Sequence, residues 1–204
     1  MTDNTGKYPD ELRAFSKSRF LWSLYVTELV LVLISLVVTR VFRGSYLPFD
    51  FEFGLNSTLL GLAAAVPIGL AVVLMMAGPI ARLSLIKRAM SQILQKLRRS
   101  FGLSIRSLSA IDIVLLSLAA GIGEELFFRG MLQSFVGVWW AAAIFGLLHA
   151  LTPAYFVLAT AIGVWFGLLY ELSDNLLIPM LGHATYDIFA LYLLQQQFSR
   201  QNAR

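Results

Sequence analysis

Long apolar runs, broken by short polar clusters, set the pattern of this chain. The runs are 20–41, 59–81, 111–135, 138–151, 154–172 and 176–194. A bilayer core takes about 20 apolar residues per helix, within a range of roughly 17–25. The pattern therefore predicts an all-α fold: a polytopic helical membrane protein of about six transmembrane helices. The fourth run is short for a full span. Between the second and third runs, Leu83, Ile86, Met90, Ile93, Leu94 and Leu97 recur at helical spacing in a basic segment. That periodicity predicts an amphipathic helix lying on the membrane surface against headgroups. The chain divides accordingly. Residues 1–106 form a two-span hairpin with its amphipathic helix, residues 107–196 a core of about four spans, and residues 197–204 a polar tail.

Composition supports the membrane reading. Hydrophobic residues are 58% of the chain, charged residues 14%, and mean hydropathy is +0.73, where a soluble domain carries about 25% charged residues. With no cysteine, disulfides, thiolate metal sites and cysteine nucleophiles are excluded. The net charge of +4 is clustered, which reads as membrane topology and not as a nucleic-acid footprint; no nucleic-acid partner is expected. Lys7, Arg13, Lys17 and Arg19 precede the first run, and Arg82, Lys87, Arg88, Lys96, Arg98, Arg99 and Arg106 follow the second. The positive-inside bias places both these segments, and with six spans both termini, in the cytoplasm. The first run is too long for a signal-peptide core and lacks a small-x-small cleavage site, so it reads as a signal anchor. A short polytopic chain without a transit-like leader favours a prokaryotic plasma membrane.

Three polar clusters interrupt the later runs: Glu124, Glu125 and Arg129 in the third, His149 in the fourth, His183 and Asp187 in the sixth. Each such group costs about 2.5–3.5 kcal/mol or more inside a bilayer, so their presence points to a polar chamber within the bundle. On an unbroken helix Glu125 and Arg129 lie four apart in the favourable order for an ion pair. Glu124 points about 100° away and is left free as a candidate general base. Phe145 and His149 share one helical face, as do His183 and Asp187. A turn near residues 136–138 would put Glu124 and His149 at similar depth, about 15–20 Å from it, with His183 about 12 Å deep from the same side.

Two schemes fit these residues. Glu124, His149 and His183 could hold a zinc ion whose bound water attacks a carbonyl, although no HExxH is present. Alternatively, Glu124 and His149 activate water directly while His183 and Asp187 serve the oxyanion. Both imply hydrolysis of a carbonyl compound within the bilayer. Taken singly, each cluster has a structural explanation as a helix-packing contact or salt-bridge node. Glu28 reads as an interfacial carboxylate without a role, and Trp139, Trp140 and Tyr170 as belt aromatics.

Together and in this order, EELFFRG (124–130), FGLLH (145–149) and HATYD (183–187) resemble the EExxxR, FxxxH and Hxxx(Asn/Asp) motifs of the CPBP family. This is the intramembrane protease group that includes type II CAAX prenyl proteases and bacterial Abi proteins. The resemblance covers roughly residues 111–194. It implies a helical membrane endopeptidase with Glu124 as base, assisted by His149. His183 and Asp187 then form the oxyanion-side pair, and Glu125, Arg129 and Phe145 support them. The eukaryotic and archaeal CAAX enzymes have Asn where this chain has Asp187. An ionised Asp cannot donate to an oxyanion, which weakens CAAX specificity while leaving the family resemblance intact.

The reading is an intramembrane endopeptidase cleaving a membrane-associated or lipidated protein or peptide, CAAX-type substrates included. Its partners are that substrate and the lipid bilayer, and its metal dependence stays open between water activation and zinc. The alternative is a non-catalytic scaffold or bacteriocin-immunity protein on the same fold. A coupled transporter would also use intramembrane Glu, His and Asp, but it predicts broken helices and inverted repeats, neither of which the sequence displays.

Overall fold

The computed structural model describes residues 10–44 and 50–200, with side chains from residue 17 onward. Lys7, Arg204 and the side chain of Arg13, which bear on topology, lie outside them. Among the described residues there is no strand. Seven α-helices succeed one another: α1 Asp10–Arg43, α2 Leu55–Ala77, α3 Ser84–Ser107, α4 Ala110–Glu125, α5 Gln133–Leu148, α6 Pro153–Ser173 and α7 Leu177–Arg200. A 3₁₀ turn, Pro79–Arg82, joins α2 to α3, and a π-helical segment, Leu126–Leu132, joins α4 to α5.

Among the described residues, five helical stretches are long and apolar enough to cross a membrane, where about six are expected from the sequence. The difference lies in the third, Ala110–Leu148, which is 39 residues long. It is broken at Gly137, whose backbone (φ 77°, ψ 169°) is not helical. That conformation is essentially closed to residues with a Cβ, so the chain turns where glycine permits it. The expected turn at 136–138 is therefore present, but the helix beyond it is only half a span. From Val138 to Leu148 it rises about 16 Å and stops, with His149 as its C-cap. The non-helical link 149–152 leads to Thr152, which caps α6 by accepting from the Tyr155 backbone N–H, with Pro153 at the first helical position. Irregular backbone at membrane depth is tolerated where it is buried in protein or lines a cavity.

The bundle is packed around α7. α2 and α4 make its most extensive contacts with α7, and α6 packs on α5. Close approach needs small residues: a Cβ added to Gly121 would come within 2.7 Å of the Met180 carbonyl oxygen. Asn175 fastens the start of α7 to the loop before α2, donating to the Glu52 carbonyl (3.0 Å) and to Ser57 Oγ (3.2 Å). Its Oδ1 accepts from the Leu177 backbone N–H at 3.1 Å. Outward faces stay apolar: Trp22, Leu29, Leu33 and Val37 on α1 are all exposed. Large apolar side chains turned outward suit lipid and not water.

Helix α3 is the amphipathic helix that the period predicts. Met90 and Ile93 on its apolar face are buried, and the helix packs on α1, α7 and α6. The amphipathic period was legible, but the face that suits a headgroup layer equally suits a bundle. The basic side chains look outward, and the apolar ones close one end of the bundle.

At Gly137 an added Cβ would meet nothing within 4 Å, so a Gly137→Ala substitution carries only a conformational cost. Thermal unfolding in detergent should register a loss of about 1–3 kcal/mol; undiminished stability would mean that the turn does not need its positive φ.

Candidate active site

Glu125 is the most enclosed acid of the bundle, with 0% exposure. Its Oε1 accepts from an Arg129 guanidinium nitrogen at 2.7 Å and faces His183 Nδ1 at 2.6 Å. The Glu125–Arg129 pair expected from spacing is present, although the helix does not run unbroken through it: the π-helical segment begins at Leu126. Such π-bulges recur at functional sites because they re-aim side chains. Here Arg129 is directed into the bundle, where a second nitrogen donates to the Gly163 carbonyl of α6 at 2.9 Å. Four residues on, Gln133 donates to the Gly167 carbonyl at 3.0 Å. The guanidinium also lies over the rings of Phe145 (5.1 Å), Phe166 (5.8 Å) and Phe128 (5.9 Å). Delocalised charge, planar donors and aromatic faces suit arginine better than lysine.

His183, 4% exposed, is held from three sides. Phe166 stacks on it at 5.4 Å, Phe145 meets its edge at 6.1 Å, and Glu125 faces Nδ1. A carboxylate at Nδ1 fixes the tautomer and ring orientation, so Nε2 is turned into the interior. There it stands 3.8 Å from Glu124 Oε2 and 3.6 Å from Asp187 Oδ2.

His149 arrives from the other side. Its Nδ1 lies 2.8 Å from the Phe145 carbonyl oxygen and its ring stacks on the Phe145 ring at 4.4 Å. A carbonyl can only accept, so Nδ1 carries the proton and Nε2 of the neutral ring offers a lone pair. That Nε2 is 3.8 Å from Glu124 Oε1. Two acceptors at this separation do not bond to each other, but one water about 2.8 Å from each can donate to both. Phe145 therefore supports the site through its carbonyl as well as its ring.

The structure thus brings Glu124, His149, His183 and Asp187 together, with Glu125, Arg129 and Phe145 behind them. They stand at one end of a cavity of about 260 Å³. From Asp187 the cavity runs along α7 to Leu194, about 10 Å at the helical rise, between Leu116 and Ala120 of α4 and Met90, Leu94 and Leu97 of α3. Its far end is apolar.

Zinc does not find a ready-made site here. Tetrahedral zinc with ligands at about 2.0–2.1 Å needs donors roughly 3.3 Å apart, and both imidazole nitrogens stand 3.8 Å from Glu124. No group of three His, Asp or Glu among the described residues is placed to hold a metal ion.

Three side chains at the cavity went unassigned in the sequence. Tyr155 and Tyr186 line it, hidden because tyrosine in an apolar run reads as interfacial. Glu28, expected at the interface, is instead 6% exposed and lines the same cavity as Glu124. A lone carboxyl in the middle of an apolar run was the available signal.

An acid–histidine centre inside a polytopic helical bundle defines a class of integral membrane protein, and likeness to known proteins narrows it. Residues 106–189 match the family model of the type II CAAX prenyl endopeptidase Rce1-like proteins. Over 89 residues the chain is 38% identical to the uncharacterized protein YpbD of Bacillus subtilis, a stretch covering 42% of this chain and 46% of that protein. The chain thus aligns with less than half the length of this curated relative. No solved structure matches it. Over the matched region the chain is similar to the type II CAAX prenyl endopeptidase-like family.

Breaking the buried triad should be costly. Glu125→Gln or Arg129→Ala leaves an uncompensated buried charge, and each should lower unfolding stability in detergent by about 3–5 kcal/mol on soluble precedents. Unchanged melting of both variants would contradict the structural role given to the pair.

Proposed function

We propose that this protein is an intramembrane endopeptidase that hydrolyses a peptide bond of a membrane-associated protein with a water activated by Glu124. The observation that carries this reading is the placement of Glu124 between two imidazole nitrogens, each 3.8 Å away, at the polar end of a cavity. The similarity of the matched region to a protease family supports it.

In this mechanism the attacking water lies between Glu124 Oε1 and His149 Nε2. Glu124 takes its proton as the C–O bond forms, and the neutral His149 orients the water through its lone pair. Negative charge develops on the former carbonyl oxygen, and a doubly protonated His183, with Nδ1 donating to Glu125, points its Nε2 proton at it. Glu125 holds His183 in that orientation. Asp187, 3.6 Å from the same nitrogen, cannot donate when ionised, so it acts on His183 through its charge. Glu124 then returns its proton to the leaving amine as the C–N bond breaks. One water is consumed, and one carboxyl and one amine are released. Acid and base are the same group used twice, which requires no cofactor.

Position within the bilayer gives the centre its substrate class. A peptide reaching the cavity must pass between helices or along α3, which favours chains already held at the membrane. Basic residues in the first turns of α1 and through α3 support a cytoplasmic location for that end.

Purified protein in liposomes should cleave members of a membrane-peptide library. Glu124→Gln and His149→Ala should remove turnover by at least about a hundredfold, the usual worth of a positioned acid–base group, while leaving folded protein in the membrane. Cleavage that survives in both variants would sink the assignment.

A further inference from the structure

An oxyanion is stabilised by hydrogen-bond donors aimed where its charge develops, and losing one such donor costs about 10²–10³ in kcat. The mechanism above supplies a single donor, the Nε2 proton of His183. The other polar groups lining the cavity are three acids, one imidazole and two tyrosines. Glu124 is engaged with the water, and an ionised Asp187 can only accept. Glu28 lies in the gap that Gly123 leaves on α4, where a Cβ would come within 2.5 Å of its Oε2. Among the charges acting on Glu28, that of Glu124 is the strongest, so it stands on the side of the base. His149 commits its Nδ1 proton to the Phe145 carbonyl and offers the cavity a lone pair. Two phenol hydroxyls remain, and they donate while neutral.

The two are not equivalent. The Tyr155 ring meets the His149 ring edge-on at 6.5 Å, and the charges of Asp187 and Glu124 both act on it. Among the described residues its hydroxyl has no hydrogen-bond partner, although the residue lines the cavity. Its place is set locally. Thr152 Oγ1 accepts from the Tyr155 backbone N–H at 3.1 Å, and Pro153 opens the helix. Because His149 ends α5, the link 149–152 positions both rings. Tyr186, on α7, packs instead against the cluster of Ile68, Ile162 and Phe166, and it is Asp187 and Tyr155 whose charges act on it. Tyr155 thus reaches from the imidazole that orients the water toward Asp187, which stands 3.6 Å from His183 Nε2.

We propose that Tyr155 is a further catalytic residue, whose hydroxyl donates to the developing oxyanion together with the Nε2 proton of His183. The assignment rests on the endopeptidase reading. A second donor offsets the like charge that Asp187 brings beside the oxyanion. Helix α6 thereby contributes a contact with the reacting atoms to a centre built by α4, α5 and α7.

The experiment uses the full-length protein in liposomes with a short apolar peptide from the membrane-peptide library. Its phosphinate counterpart, in which a tetrahedral anion replaces the scissile amide, serves as the second probe. Tyr155→Phe should lower kcat about a hundredfold while KM stays within about threefold. It should weaken phosphinate binding by a similar factor, leave peptide binding to Glu124→Gln protein unchanged, and melt as the wild type does. A kcat within about threefold of wild type would overturn the proposal and leave the protease reading standing. So would equal weakening of peptide and phosphinate, which is the mark of a structural role, or a loss of kcat found in Tyr186→Phe and absent from Tyr155→Phe. If wild-type protein cleaves no peptide but binds the phosphinate tightly through Tyr155, the donor stands and the protease reading fails. No cleavage and no preference for the phosphinate would overturn both.

Discussion

A single carboxylate oxygen, Glu125 Oε1, holds together the two halves of the centre. It meets the Arg129 guanidinium on one side and His183 Nδ1 on the other. Through Arg129 it is tied to the α6 backbone at Gly163, and through His183 to α7. In a medium with no competing water, leaving either partner unpaired costs several kcal/mol. The triad therefore fixes how α4, α6 and α7 sit together, and it also fixes which nitrogen of His183 looks into the cavity. Support and chemistry are divided between adjacent acids. Glu125 is fully enclosed and committed, whereas Glu124, about 100° around the helix, faces the cavity and has only imidazoles within reach.

The second constraint is the half-length helix after Gly137. The arm from Val138 to Leu148 brings His149 to the level of Glu124 on the other side of the turn. Because the helix stops there, with Phe145 accepting from His149 at its last turn, the ring is placed opposite Glu124. Glycine at 137 supplies the reversal, and Thr152 and Pro153 restart the chain as α6. These are sequence-local devices acting at membrane depth.

Much of this was legible in the sequence, for identifiable reasons. Apolar runs of bilayer length are a strong signal, and the motif residues lie on helices whose depths can be compared by counting residues from a turn. The Glu125–Arg129 pair was expected from i,i+4 spacing. What the sequence could not give was azimuth. The same period describes α3 whether its apolar face meets headgroups or the bundle, and Met90 and Ile93 prove to face inward. Glu28 was misplaced because a lone acid in an apolar run carries no local partner; its setting is made by Gly123 on another helix. The Glu125–His183 contact joins residues 58 apart in sequence, so no local period reports it. The half-span showed in the sequence only as a fourth run short for a full crossing.

The centre depends on His183 presenting Nε2 to the cavity with Nδ1 committed to Glu125. Nitrogen-15 NMR of histidine-labelled protein in bilayers reads this directly, and with two histidines in the chain a His149→Asn variant isolates the signal. The expected result is a protonated Nδ1, hydrogen-bonded to a carboxylate and lost as such in Glu125→Gln. A His183 whose Nδ1 bears no proton, or whose spectrum ignores that substitution, would contradict it.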